Sequence, residues 1–143
     1  MSDAEARRAA IRSTWSAAWD KGEVAAFDAL LSPAYRRFSR YDDTGQDRME
    51  FKSSVVTTRS AFPDLTTVID DIVVEGDRAA IRWHSEGTHR HGFLGVPPTR
   101  RRVSVSGATF ARFENDLVVE EFVTWDPREL LAALGIVTVG QDR

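Results

Sequence analysis

The residue pattern predicts an α+β fold: a cone-shaped barrel in which a curved antiparallel sheet packs on N-terminal helices and a short C-terminal helix closes the chain. Three observations carry that prediction. Apolar residues recur at helical spacing as far as Phe62, the period changes to two from Leu65, and two turn signals, Glu75-Gly76-Asp77 and Asn115-Asp116, divide the C-terminal half into long strands. No linker, repeat or low-complexity tract interrupts the 143 residues, so residues 1–143 read as one domain. A chain of this size can bury roughly two thirds of its unfolded surface.

Ser2 with Glu5 forms a capping box, and Ile11, Trp15, Ala18 and Trp19 follow on one side of a first helix that stops near Gly22. Val24, Phe27, Leu30 and Leu31 give a second, shorter helical stripe before Ser32-Pro33 breaks it. Tyr35 to Tyr41 reads as a short strand. Asp47 with Glu50 caps a third helix carrying Phe51, Val55 and Phe62, and Pro63 ends it. The strand from Leu65 places Val68, Asp70, Ile72 and Val74 on one face, and Arg78 to His91 returns antiparallel to it. Gly92 to Thr99, GFLGVPPT, is a loop with apolar Phe93 and Leu94 at its tip, the composition of a lid over a pocket. Arg100 to Glu114 and Leu117 to Asp126 make a second hairpin. Within it Glu121, Val123 and Trp125 alternate with Phe122, Thr124 and Asp126, and the last helix is Pro127 to Leu134.

Composition excludes several functions. A net charge of -3 with pI near 5.6 argues against a nucleic-acid partner, which needs a basic footprint. Cysteine is absent, which removes disulfides, thiolate nucleophiles and cysteine metal sites. MSDAEARRAAIR is charged where a signal peptide needs an apolar run, and no stretch suits a membrane span, so the expected location is cytoplasmic. The basic residues are nearly all arginine, as in GC-rich bacterial genomes. Serine nucleophile elbows, phosphate loops and dinucleotide fingerprints do not occur.

Asp126 admits two readings. It ends a strand immediately before Pro127 and three residues before Glu129, which suits an N-cap, and from the same joint its carboxylate could project into a cavity as a general acid/base. His89 and His91 share a strand face. His89 either polarises a carbonyl and shuttles protons or bonds the neighbouring loop, and without a nearby acidic residue a metal is not expected. Arg112 with Glu120 or Glu121 suggests a cross-strand ion pair. Arg90 and Arg100 to Arg102 form a basic patch by the lid, either a solvated face or a recognition surface for an acidic group. Trp15, Tyr35, Phe51, Phe62, Trp83, Phe93, Phe110 and Phe122 are the candidate cavity lining, the alternative being plain core.

With these elements in order, the chain resembles the SnoaL-like polyketide cyclases and hydroxylases of the nuclear transport factor 2-like superfamily. Four segments carry the resemblance: AFPDL at 61–65, VEGDRAAIRW at 74–83, GTHRHGFLGVPPTRRRV at 87–103, and FARFENDLVVEEFVTWDPRELLAALG at 110–135. The chain departs from the family pattern at Arg100, where glycine is common, at Phe122, where tryptophan is usual, and at Ala133, where glutamine is usual. The resemblance implies an α+β barrel around one ligand cavity, assembled as a homo-oligomer, dimer or tetramer, through the sheet. It implies an aromatic polyketide as the small-molecule partner, ring closure by intramolecular aldol condensation without a cofactor, and Asp126 as the acid/base. Similar proteins hydroxylate anthracycline-type polyketides, and others of the superfamily isomerise, hydrolyse or merely bind.

Overall fold

A computed structural model describes residues 3–40 and 42–136; the expected cap at Ser2, Tyr41 and the polar tail from 137 lie outside the described residues. Helix α1 (Asp3–Trp15) runs into a π-helical turn (Ser16–Asp20) and stops at Gly22, whose φ of +74° suits glycine. The second stripe is a 3₁₀ segment (Val24–Ala29) and not an α-helix. The stretch between Gly22 and Leu31 is a short connector, the setting in which 3₁₀ turns commonly occur.

Strand β1 (Leu31–Ser39) passes straight through Ser32-Pro33, where the sequence suggested a break. Its ladder partners are interrupted between Leu31 and Arg36, so the missing N–H of Pro33 falls where no sheet bond is made. Strand β2 (Asp42–Asp47) was not anticipated, because DDTGQD has no apolar alternation. It forms an edge hairpin with β1. Gly45 is obligatory there: its φ is +84° and an added Cβ would lie 2.8 Å from the Phe38 ring.

Helix α2 (Arg48–Ala61) begins with the expected capping box. The N–H of Glu50 donates to Asp47 Oδ1 at 2.8 Å, and the N–H of Asp47 donates to Glu50 Oε1 at 2.9 Å. Then come β3 (Thr66–Glu75), β4 (Arg78–Thr88), β5 (Arg102–Glu114), β6 (Leu117–Trp125) and the short helix α3 (Pro127–Ala133).

The described strands form one unclosed sheet in the order β2-β1-β6-β5-β4-β3. It is mixed where the sequence predicted an antiparallel sheet, because β1 and β6 run parallel. The cause is topological: α2 carries the chain from the β1/β2 edge to the far edge, and the meander β3 to β6 returns to β1 in the same sense. A register shift between Ile69 and Asp71 also breaks the expected alternation in β3. Val68 is exposed beyond it, whereas Ile72 and Val74 belong to the core.

One core cluster joins Ile11, Trp15, Phe27, Phe51 and Val55 to Ile81 and Phe113 of the sheet. A second gathers Ala61, Phe62, Leu65, Val103, Leu130 and Leu134 beneath α3. No helix among the described residues is long and apolar enough to cross a membrane.

Candidate functional site

The concave face of the sheet, the helices and the Gly92–Thr99 loop enclose a cavity of about 560 Å³. Of the predicted lining, Trp15, Phe51, Phe62, Trp83 and Phe93 border it. Trp19 and Trp125 do too. Their signals were legible, Trp19 one helical turn beyond Trp15 and Trp125 alternating with Val123. Trp83 fits because Gly107 lies beneath it on β5: an added Cβ would come within 2.5 Å of the indole. The indole N–H of Trp83 donates to Thr109 Oγ1 at 3.0 Å.

Three predicted lining residues lie elsewhere. Phe110 and Phe122 are cross-strand partners on the convex face and are 53% and 47% exposed. Their neighbours Thr109, Ala111, Glu121 and Val123 are buried, so the pleat sends the two phenyl rings to the other side. Tyr35 is wholly buried in the core.

Over the cavity mouth, the N–H of Phe93 donates to the Val96 carbonyl at 3.0 Å and the N–H of Val96 returns the bond at 2.9 Å. Leu94 (φ +52°) and Gly95 (φ +76°) make the tight turn between them. Phe93 packs edge-on against Phe62 at 5.4 Å, and Leu94 borders the cavity while remaining 65% exposed. Arg100 has φ +60°, a conformation glycine adopts without steric cost.

His89 sits under this loop. It is 0% exposed and stacks on Phe62 at 5.3 Å. Its Nδ1 accepts the backbone N–H of Thr99 at 3.1 Å, which puts the proton of the neutral ring on Nε2. That buried nitrogen has no hydrogen-bond partner among the described residues. Nearby, the backbone N–H of Thr88 donates to Asp64 at 2.7 Å and holds that carboxyl below the usual range. His91 is exposed, and no group of three or more potential metal ligands converges among the described residues.

Asp126 is the N-cap of α3: its Oδ1 accepts the N–H of Arg128 at 2.9 Å. The side chain is exposed and borders a groove of about 690 Å³ on the other side of the sheet from the cavity lining. The groove is the larger space, but it is walled by Arg40, Asp70, Arg82 and Glu129, and of the aromatic side chains around the cavity it shares only Trp83 and Trp125. Ser39, Trp83, Val123 and Trp125 border both. Among the strand charges, Arg112 meets Glu120 at 3.9 Å, and Arg82 and His84 both meet Asp70.

Glu121 is the residue whose role sequence reasoning missed. It is 3% exposed, accepts the Tyr35 hydroxyl, and accepts from Arg37 Nη1 at 3.3 Å. Arg37 in turn lies over the Phe51 ring at 4.4 Å. Its signal was an acidic residue on the apolar side of a strand, two residues from Val123. Burial, then the charge of Glu121, pushes the Tyr35 phenol well above its ordinary value. The stability contributed by the neutral phenol is therefore complete below a pH of about 10 and is lost as pH rises toward the folded value. In an alkaline titration, the tyrosinate absorbance that Tyr35→Phe removes should appear together with loss of tertiary structure. Its appearance in a still-folded protein would overturn the assignment.

Helices laid on a curved sheet around one aromatic-walled cavity define the class of α+β proteins that enclose a single small molecule. The chain belongs to the SnoaL-like polyketide cyclase family, whose profile matches residues 9–134. Among solved structures it is similar to AclR, a proposed hydroxylase of Streptomyces galilaeus, at 30% identity and a TM-score of 0.81, over 92% of this chain and 96% of that one. It is also similar to IdmH, a proposed polyketide cyclase of Streptomyces antibioticus, at 28% identity and a TM-score of 0.80, over 90% and 98% of the two chains. A proposed SnoaL-like cyclase from a Jannaschia species shares the fold at 18% identity, with a TM-score of 0.84 over 96% of each chain. No sequence among curated proteins matches significantly.

Proposed function

We propose that this protein is a cofactor-independent cyclase that closes a ring of an aromatic polyketide by intramolecular aldol condensation. The observation that supports this best is a cavity of about 560 Å³ with largely apolar walls that include seven aromatic side chains, in a chain of this family. A base removes a proton from carbon between two carbonyls, the resulting enolate carbon attacks a ketone, and the new alkoxide takes a proton back. No electron acceptor is needed.

Asp126 is the acid/base of this reading. It stands between Trp125 and Pro127, both on the cavity wall, and the groove it borders shares four wall residues with the cavity. His89 assists as a donor, carrying on Nε2 a proton with no protein acceptor among the described residues.

Two observations favour other readings. AclR, at 30% identity, is a proposed hydroxylase, which would direct the same carbanion to oxygen. The exposure and capping of Asp126 favour a noncatalytic ligand-binding or dimerisation module. Supplying an anthracycline-type intermediate and measuring product mass with oxygen uptake separates the three. A ring-closed product without oxygen consumption is expected. Oxygen uptake with an oxygen atom added sinks the cyclase in favour of the hydroxylase, and absence of turnover favours the module.

The protein acts as a homo-oligomer through the convex face of its sheet. Val73, Ala80, Phe110 and Phe122 stand in one transverse row across four strands there, and three of them are about half exposed. Phe122→Arg should therefore lower the mass measured by sedimentation equilibrium, and an unchanged monomer in both proteins would refute the interface.

A further inference from the structure

We propose that Arg37 is a recognition site for an acidic oxygen, so that the ligand is a flat apolar molecule bearing one carboxylate or enolate group at the β1/β2 end of the cavity. This rests on the cavity being the ligand site and deepens that reading. It assigns to the ligand a charge that the aromatic walls do not require.

Arg37 borders the cavity, and its side chain is one fifth exposed (20%). Two contacts hold its guanidinium. Nη1 donates to the buried carboxylate of Glu121 at 3.3 Å, and the planar group lies over the Phe51 ring at 4.4 Å. Glu121 is itself fixed by the Tyr35 hydroxyl. A guanidinium carries five N–H donors in a fixed fork. The guanidinium also acts on the neighbouring Tyr35 hydroxyl, and because Arg37 borders the cavity and keeps part of its surface open, its remaining donors are within reach of a ligand there.

The surroundings suit a polar terminus. Gln46 is the cross-strand partner of Arg37 and donates to Ser54 Oγ at 2.8 Å, and all three residues border the cavity. Two carboxylates near the walls are otherwise engaged. Asp42 accepts from the Thr44 hydroxyl and the Gly45 N–H, and Glu86 accepts from Arg102 at 3.0 Å. A bidentate guanidinium–carboxylate contact is stronger and more directional than a neutral hydrogen bond. Because ordering has already been supplied by Glu121 and Phe51, little side-chain freedom is lost on binding. Glu121 and Tyr35 are then positioning residues for Arg37.

The test is calorimetric titration with two probes of nearly equal shape, 2-naphthoate and 2-naphthamide. The wild-type protein should bind the carboxylate at least about tenfold more tightly, the range of a hydrogen bond to a charged group. Arg37→Gln should bring the two within about twofold, with the amide affinity nearly unchanged. Where leaving Glu121 without its partner prevents folding, Arg37→Gln combined with Glu121→Gln removes both charges, keeps an acceptor for Tyr35 and should give the same loss of preference. Equal binding of both probes by the wild type, or a preference that survives in either variant, overturns the Arg37 assignment and leaves the cavity reading standing. Binding of neither probe overturns both.

Discussion

Asp126→Asn is expected to lower turnover about a hundredfold or more, the lower range of acid–base contributions, while leaving the unfolding temperature essentially where it was. The two halves of that expectation have separate causes. Asparagine accepts a hydrogen bond from the first turn of a helix about as well as aspartate, so α3 keeps its cap. The amide cannot accept a proton from carbon at neutral pH, so the acid/base role is removed. Alanine would confuse the two, since loss of an N-cap costs roughly 1 kcal/mol. The measurement is kcat on the ring-closing substrate beside a thermal melt of the same preparation. Unchanged turnover with an unchanged melt would leave Asp126 a cap and nothing more, and the acid/base would have to be sought among the residues that line the cavity itself.

Glu121→Ala should cost about 3 kcal/mol of stability, toward the lower end of what is lost when one partner of a buried ion pair is removed. The reduction from the full range reflects Arg37, which reaches the cavity and stays partly solvated. The Tyr35 hydroxyl does not have that recourse, being 0% exposed. Against a typical total of about 5–15 kcal/mol, such a loss is a large share. Glu121→Gln retains an acceptor for Tyr35 and should cost roughly 1 kcal/mol. Urea unfolding with an unchanged slope checks both. If alanine costs less than the glutamine variant, the trio is not what fixes this part of the sheet.

Much of the fold was legible because it rests on local rules. The Asp47–Glu50 capping box, the change of period at Leu65 and the Asn115-Asp116 turn each determine their neighbourhood without help from distant residues. What escaped was set by pairing. The segment DDTGQD becomes a strand because β1 offers it a partner, and β1 tolerates Pro33 because its ladder is interrupted there. The register shift in β3 likewise comes from sheet geometry, which no single-strand pattern encodes.

The site divides along the same line. Helical and strand periodicity placed Trp15, Phe51 and Trp83 toward one interior. It also put Phe122 and Asp126 on a common side of β6, opposite Glu121, Val123 and Trp125. Which side faced the cavity was decided by burial of Val118, Glu121 and Val123, a property of the packed sheet. The partnership of Glu121 with Tyr35 and Arg37 joins residues more than eighty positions apart, and neither end carries a local mark of the other.

The tryptophans give the cavity an optical consequence. The chain contains four, Trp15, Trp19, Trp83 and Trp125, and all of them border the same space. Excited at the red edge, where the two tyrosines do not absorb, intrinsic fluorescence therefore arises entirely from indoles within contact or near-contact distance of whatever occupies that space. A bound aromatic that absorbs in the near ultraviolet should quench the whole emission, with no distant fluorophore left to dilute the signal. Unlabelled protein thus carries its own occupancy gauge.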